Sequence, residues 1–278
     1  MKTALPATLL LLLLEVVATS AQDRSKAKPD WFDVPLSEKT VDFGPSFTEP
    51  SDTSPAWQWN AYRRARNTLT CNWFPPVMVK EYDISQKGAE WISFIRTGAN
   101  AHPECTQSHV PGEKVFDEGS EWSGYFDGVK DDFVFLGAAD GFNGGIQFAV
   151  YDSRTGKKVF EDTDCLTCMY LKKVYGKEPL AAPFNRMRIR KVPGGPVTLK
   201  YMRVEQADCD LRSDKASCWD HVRMQMDVKS AKEPVCLGYA HTPVGELPSM
   251  VAHPVFVSLE SAPVVKSIDG PVLCWAPD

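Results

Sequence analysis

The sequence predicts a mainly β fold: a single sandwich- or barrel-like antiparallel β domain with two or three short helices, stapled by disulfides. Many short segments are rich in Val, Ile, Phe and Tyr, and Gly-, Asn- and Asp-containing turns separate them. The chain contains eight cysteines and begins with an export-like segment. No repeat of fixed period is visible. One domain is expected, and two packed subdomains divided near residues 177–183 are the alternative.

The first residues have the layout of a secretory signal peptide. Lys2 precedes an apolar run from Ala4 to Leu14, and small residues follow, with Ala21 at position −1 of the expected cleavage site. The run is too short to span a bilayer as a mature helix. We therefore expect residues 1–21 to be removed, which leaves no transmembrane segment in the mature chain.

Residues 22–55 are predicted to be a proline-rich, extended lead-in. Prolines at 29, 35, 45, 50 and 55 remove backbone donors and block a helix. Apolar spots such as Trp31-Phe32 indicate that the segment packs over the domain, and a free tail is the alternative. The β-rich globular domain is then expected to comprise residues 56–278.

A helix is predicted over residues 54–71, SPAWQWNAYRRARNTLTC, with Ser54 as its N-cap. Apolar side chains recur at i, i+4 steps on one face: Trp57, Ala61, Ala65 and Leu69. Basic side chains lie towards the other side: Arg63, Arg64 and Arg66. A solvated face is the expectation for these arginines, and an anion-binding surface is the alternative.

Strands dominate after Pro75, with one further short helix predicted at residues 217–226. The most regular stretch is a three-stranded meander over residues 131–162, with turns at 140–145 and 152–156. The remaining strands are predicted at residues 77–84, 90–96, 184–192, 197–209, 234–240, 252–260, 262–268 and 270–276.

Eight cysteines in an exported chain predict a disulfide framework. Eight cysteines allow 105 connectivities, so proximity along the chain is the only guide. Proximity favours four bridges, each of which closes a loop within one continuous segment of the chain: Cys71–Cys105, Cys165–Cys168, Cys209–Cys218 and Cys236–Cys274. On the chain-entropy model the longest of these loops contributes about 4 kcal/mol of stability.

The Cys165-x-x-Cys168 motif has three possible roles: a redox dithiol, half of a metal site or a structural disulfide. A redox dithiol needs a low thiol pKa, but Asp164 precedes the motif and a negative neighbour raises that pKa. A metal site needs two more ligands, and the other compact grouping, His102-x-x-Cys105-x-x-x-His109, matches no zinc spacing. We therefore expect these cysteines to form structural disulfides.

The charge balance argues against a nucleic-acid binder. The formal net charge is −5, whereas nucleic-acid binding needs a basic surface. None of the asparagines lies in an Asn-x-Ser/Thr acceptor, which favours a bacterial periplasm or exterior over a eukaryotic secretory route. The sequence thus predicts a secreted or periplasmic protein.

The familiar catalytic patterns do not occur. Ser120 and Ser123 lie outside any Gly-x-Ser-x-Gly, and no His-Glu-x-x-His occurs. The five histidines are scattered, and each is expected to be a surface or packing residue. No catalytic residue is predicted, although triads formed in space can escape sequence patterns.

One acidic and aromatic stretch, residues 121–145, is the most promising ligand site. Carboxylate and amide oxygens on loops can hold Ca²⁺, so calcium is the one cofactor considered; otherwise none is expected. The calcium candidates are Asp127, Asp131, Asp132, Asp140 and Asn143. Aromatic rings beside polar loops can stack on sugars or contact a partner. The candidates for that patch are Trp122, Tyr125 and Phe142.

Residues 151–160, YDSRTGKKVF, are similar to the Asp-x-x-Thr-Gly-Lys turn of propeller blades in the quinoprotein-like class. The motif occurs once, whereas a propeller is built from several blades. No fold, activity or residue role is carried over from this likeness.

Three functions remain open. The leading hypothesis is an exported, disulfide-stabilised, non-enzymatic β-domain that binds a protein or glycan partner in the cell envelope or outside the cell. The second is a hydrolase of envelope or extracellular polymers, which a deep cleft with a histidine beside Asp or Ser would favour. The third is a thiol-disulfide oxidoreductase that acts through Cys165 and Cys168.

Overall fold

The structure is a computed structural model in which strands predominate. It describes residues 31–98, 102–117, 119–168, 187–213, 215–230, 232–234, 236–237, 247–260 and 262–277. The expected signal peptide, the segment after Cys168 and the alternative subdomain boundary near 177–183 lie outside these residues.

Two sheets carry the strands. The five-stranded sheet has the order β1-β2-β3-β4-β5, and the ten-stranded sheet has the order β12-β15-β13-β11-β9-β8-β7-β6, with β10 beside β11 and β14 beside β13. The strands of the first sheet are β1 (Ser37–Pro45), β2 (Arg66–Trp73), β3 (Val77–Asp83), β4 (Trp91–Arg96) and β5 (Lys114–Phe116). Those of the second sheet are β6 (Gly124–Lys130), β7 (Phe133–Phe142), β8 (Gly145–Asp152), β9 (Lys157–Cys165), β10 (Arg188–Lys191), β11 (Val197–Gln206), β12 (Cys236–Leu237), β13 (Met250–Leu259), β14 (Val264–Ser267) and β15 (Leu273–Trp275).

The predicted fold class is confirmed: the structure is mainly β, with largely antiparallel sheets and four disulfides. The predicted meander is also present, since β7, β8 and β9 pair consecutively and antiparallel. Two helices with described bounds accompany the strands, α1 (Ala56–Arg64) and α2 (Lys215–Gln225).

The second sheet bends so that its two halves face each other. Strand β9 contacts β11 through a single register pair, Asp164 with Arg203, after which the pairing continues to β13. One apolar cluster joins the two halves, and the ring of Phe148 meets Tyr201 at 5.3 Å between centroids. A second cluster packs the other face of β7 and β8 against the five-stranded sheet. The domain therefore has three layers, with β6–β9 in the middle.

The predicted helix over residues 54–71 is wrong beyond its first half. Helix α1 ends at Arg64, and the following residues form β2, which pairs with β1 on one side and β3 on the other. Leu69 is fully buried, but it belongs to strand β2 and not to a helix. Trp57, which the helical pattern placed on a buried face, is 67% exposed. Pairing on both edges outweighs the helical spacing because it satisfies every backbone group of the strand. Ser54 makes no cap hydrogen bond to the helix.

Part of the proline-rich lead-in belongs to the sheet. Residues 37–45 form β1 along the edge of β2. Just before it, the backbone N–H of Asp33 donates to Val129 O at 2.8 Å, and the ring of Phe32 packs on Phe135 at 5.2 Å. These contacts hold residues 31–45 against the domain.

The four disulfides join the cysteines as the sequence predicted. Their Cα–Cα distances are 5.9, 5.3, 5.8 and 4.5 Å in chain order, all within the range of a bridge. Cys209–Cys218 ties the end of β11 to α2, which packs through Trp219 and Val222 on β13 and β15. The predicted helix at 217–226 is thus confirmed as α2. Four bridges fit an oxidising compartment.

A buried ion pair holds the loop of residues 102–113 over the outer face of the five-stranded sheet. Lys80 on β3 and Glu113 are 2% and 1% exposed, and their charged atoms lie 3.0 Å apart. Lys80 Nζ also donates to Ser108 O at 2.8 Å. Burial acts to raise the pKa of Glu113, but hydrogen bonds from Ser93, Val110 N and Lys80 outweigh it and lower the pKa.

We expect Glu113→Ala to destabilise the protein by about 3–5 kcal/mol, because it leaves the Lys80 ammonium buried without its carboxylate. Urea denaturation at pH 7 measures this change. The matched control is Glu161→Ala, which removes the exposed pair with Lys158 and should cost less than about 1 kcal/mol. Equal, small losses in both variants would show that the buried pair does not hold the loop.

Candidate functional site

A cleft of about 310 Å³ opens at one end of the sandwich, where the β3–β4 loop meets the chain between β5 and β6. This volume lies at the lower end of the range for small-ligand sites. The cleft is lined by Gln86, Ala89, Glu90, Ile92, Phe116, Asp117, Trp122, Ser123 and Gly124.

The floor of the cleft is apolar and belongs to the core. Ile92 and Phe116 are 2% exposed and Trp122 is 7% exposed. All three belong to the cluster that joins the five-stranded sheet to β7 and β8. The floor is therefore fixed by core packing and does not depend on the loops that surround it.

The rim of the cleft is polar and exposed. It carries two carboxylates, one amide and one hydroxyl: Glu90, Asp117, Gln86 and Ser123. No ion pair involving Glu90 or Asp117 occurs among the described residues. Their oxygens are therefore accessible to hydroxyl or amide donors of a ligand.

Trp122 has a buried indole N–H that lacks an acceptor among the described residues. A buried donor without a partner costs about 1–3 kcal/mol. The nearby hydroxyl of Ser120 does not accept from this N–H. It donates instead to the backbone oxygen of Trp122, at 3.0 Å. This nitrogen is closed to solvent, so it is not available to a ligand in the cleft.

The two walls of the cleft are tied together by backbone contacts. Ala89 N donates to Gly124 O at 2.8 Å, and Gly88 N donates to the hydroxyl of Tyr125 at 2.8 Å. Gly124 has to be glycine here, since a Cβ atom would collide with the carbonyl oxygen of Gly137 on the neighbouring strand. The cleft is thus a fixed feature of the sheet ends.

A second hollow of about 510 Å³ lies beside the Cys71–Cys105 bridge, between β1 and residues 102–106. Its aromatic side chain is Trp73, whose Nε1 already donates to Pro103 O at 3.2 Å. Its polar groups are thus partly engaged within the chain. The cleft at Trp122 offers the better ligand site, because its rim carboxylates form no ion pair among the described residues.

Of the predicted aromatic patch, only Trp122 lines this cleft. Tyr125 lies next to the cleft but uses its hydroxyl to accept from Gly88 N. Phe142 is 81% exposed at the β7–β8 turn. Neither Tyr125 nor Phe142 lines the cleft, so the three side chains do not together form its lining.

The five calcium candidates are not brought together. Asp131 and Asp132 lie at the β6–β7 turn, where they pair with Lys191 at 2.6 Å and Arg96 at 2.8 Å. Asp140 pairs with Lys87, and Asn143 sits in the turn at the far end of β7. A ten-residue strand is about 30 Å long, so the two turns cannot share an ion. In the part of the chain that the structure describes, no group of three His, Cys, Asp or Glu could hold a metal.

Asp127, the remaining calcium candidate, lies on β6 in contact with Gly137, near two other acids. Burial raises the pKa of Glu81 on β3 to about 7, and the charges of Asp83 and Asp127 add to the shift. Burial likewise raises the pKa of Asp164 on β9 to about 6, and Asp162 and Asp127 add to it. The carboxylate of Glu81 accepts from Phe126 N at 3.1 Å, so it ties β3 to β6 beside the cleft.

Two members of the grouping His102, Cys105 and His109 have other partners in the structure. Cys105 is bridged to Cys71, and the Nδ1 atom of His109 lies 3.2 Å from Glu113. His253 is 1% exposed and its Nε2 atom lies 2.8 Å from Glu205. Among the residues that the structure describes, no histidine lines the cleft at Trp122.

The Cys165–Cys168 bridge is buried. Its cysteines are 3% and 6% exposed, and they pack with Met202, Val204 and Trp275. Cys168 N donates to Sγ of Cys165 at 3.0 Å. Thiol-disulfide exchange needs an attacking thiolate to reach a sulfur, and this packing blocks the approach.

Sequence reasoning missed the rim residues Gln86, Glu90 and Asp117. They lie in two separate connections, and the pairing of β4 with β3 and β5 brings them to one cleft. No local pattern marks such a convergence. The only signal in the sequence was Trp122, an aromatic residue between polar neighbours.

We expect the Cys165–Cys168 bridge to resist mild reduction in the folded protein, because both sulfurs are buried. Glutathione titration followed by alkylation and peptide mapping measures this. Each bridge should stay intact until the protein unfolds. Selective opening of Cys165–Cys168 at the potential of known oxidoreductases would instead support a redox role.

We expect stability to fall as pH rises from about 4.5 to about 7, partly through Glu81. Its pKa is about 7 in the folded protein against 4.5 when exposed, so the folded state binds more protons in this window. Glu81→Gln should flatten the decline and raise stability at pH 8 by up to about 3 kcal/mol.

Urea denaturation at pH 5 and pH 8 tests this effect of Glu81. The matched control is Glu38→Gln, an exposed acid on β1. A decline that is identical in the wild-type protein and in Glu81→Gln would contradict the assignment.

Comparisons with known proteins do not place the chain in a family. No protein-family model, no curated protein and no solved structure matches it. Its function must therefore be argued from the cleft and its chemistry.

Proposed function

We propose that the protein is an exported, disulfide-stabilised, non-enzymatic β-domain that binds a glycan in the cleft at Trp122. The observation that carries this proposal is the lining of the cleft: an aromatic floor beneath a rim of carboxylate, amide and hydroxyl groups. Sugars present the same two chemistries, because a pyranose ring has apolar C–H faces and a rim of hydroxyls. Aromatic rings contact the former, and carboxylates accept from the latter.

The size of the cleft favours a small ligand over a protein partner. Stable protein–protein interfaces bury about 800 Å² on each partner. A cleft of about 310 Å³ instead suits one or two sugar rings of a longer glycan.

The compartment is consistent with this proposal. Four disulfides fit an oxidising environment. Among the described residues, no helix is long and apolar enough to cross a membrane. Export through a signal peptide, and a periplasmic or external location, remain part of the proposal.

A hydrolase is the second candidate, and one observation favours it. Glu90 and Asp117 both line the cleft, and glycoside hydrolysis commonly uses two carboxylates beside the bond to be cleaved. Against this candidate, both carboxylates are exposed on the rim, whereas the general acid of a glycosidase is commonly held in an apolar setting. Binding without cleavage therefore has the stronger support.

A glycan array that includes envelope and extracellular polysaccharides tests the proposal, followed by calorimetric titration of the strongest ligand. We expect Asp117→Asn and Glu90→Gln each to weaken binding about tenfold or more, because a hydrogen bond to a charged group is lost. Trp122→Phe should also weaken binding, since it removes aromatic area from the floor of the cleft.

The matched control is Phe142→Ala, which removes an exposed aromatic ring that does not line the cleft and should leave affinity unchanged. Circular dichroism confirms that the Trp122 variant folds. Absence of binding on the array, or wild-type affinity in both rim variants, would overturn the proposal. Release of shorter glycans during the titration would support the hydrolase instead.

A further inference from the structure

Helix α1 is a surface helix that buries none of its residues. A short helix in a protein is normally held by packing of an apolar face. In α1 the largest such side chain, Trp57, is 67% exposed, and Trp59 and Tyr62 are only partly covered. The aromatic content of this helix therefore has no role in the core.

Two more exposed aromatic side chains accompany the helix. Phe43 on β1 is 47% exposed and Phe47 is 46% exposed. Ser46 N donates to Ala65 O at 3.0 Å, which places Phe47 beside the C-terminal end of α1. Grouped exposed apolar side chains on a folded domain mark an interaction surface.

The same end of the helix carries two uncompensated charges. Arg63 and Arg64 are exposed, and neither forms an ion pair within the described chain. The guanidinium of Arg63 lies 6.0 Å from the centre of the Trp59 ring. Arg66, by contrast, is paired with Asp42 at 2.8 Å.

Trp57 and Arg64 lie on the same side of the helix, whereas Arg63 lies about 120° round the helix axis, beside Trp59. Trp57 and Arg64 are seven residues apart, which is about two turns or 10 Å along one face. The acids that precede the helix, Glu49 and Asp52, come before its N-terminal end, opposite to the arginines. We call the group of Phe43, Phe47, Trp57, Arg63 and Arg64 the α1 surface.

We propose that the α1 surface binds an anionic lipid bilayer, with α1 lying in the plane of the interface. Exposed Trp and Phe side chains enter the boundary between headgroups and acyl chains, where aromatic rings are favoured. Arg63 and Arg64 meet the anionic headgroups. Charge complementarity thus selects an anionic over a zwitterionic membrane.

The composition of the α1 surface favours lipid over the other anionic occupants. Phe43 and Phe47 have no polar atom to offer a sugar hydroxyl, and they gain by leaving water. No residue of the surface lines either of the two clefts described above. Membrane docking would thus use other residues than those that line the cleft.

Vesicle sedimentation tests this proposal with the chain as recovered after export. We expect the protein to sediment with vesicles of phosphatidylcholine and phosphatidylglycerol at low salt, and not with phosphatidylcholine alone. Reversal of both charges, Arg63→Glu with Arg64→Glu, should weaken binding at least tenfold. Trp57→Ala should weaken it several-fold, and high salt should release the wild-type protein.

Matched controls have the same chemistry elsewhere on the surface. Lys229→Glu with Lys232→Glu makes the same change in net charge, and Met224→Ala removes another exposed apolar side chain of a helix. Both should bind like the wild-type protein. Three outcomes would overturn the proposal: no sedimentation, equal binding by the α1 variants and the controls, or retention on a sulfated polysaccharide without any binding to vesicles.

Discussion

Burial of β7 and β8 on both faces is the constraint on which the three-layer arrangement depends. Val134 and Leu136 face the five-stranded sheet, whereas Phe133 and Phe135 face the other half of their own sheet. A strand that buries both faces needs a cover on each side. The bend after β9 supplies one cover and the first sheet supplies the other.

The polar sites lie where this layered core ends. At the edge of the middle layer, Asp162 receives the side chains of Tyr201 and Arg203, and Glu205 reaches His253. At the other interface, the cluster of apolar side chains closes on Trp122, and the cleft opens directly above it. The core thus fixes the floor of the cleft, while loops supply only its rim. A site built in this way is preorganised, which lowers the entropy lost on binding.

The two proposed surfaces use aromatic residues in opposite ways. Trp122 is almost fully buried and contributes a shaped aromatic floor. Trp57 is exposed on a helix without core contacts, where it contributes apolar area. The spacing of these residues in the sequence does not distinguish the two uses. Helical periodicity even assigned Trp57 to a buried face, because it took no account of the sheet that forms from residue 66 onward.

The sequence by itself determined the β class, most strands, the helix near residue 220 and the disulfide pairing. These features depend on the local alternation of apolar and polar residues, on turn residues and on proximity along the chain. All three can be seen directly in the sequence. Only the tertiary structure showed that α1 ends at Arg64 and that the calcium candidates lie apart. Only the tertiary structure, likewise, brought Glu90, Asp117 and Trp122 to one cleft. The physical reason is that strand pairing joins residues far apart in the chain. The register and direction of each strand therefore decide which acidic residues come close together. Neither can be predicted from a short segment of the sequence.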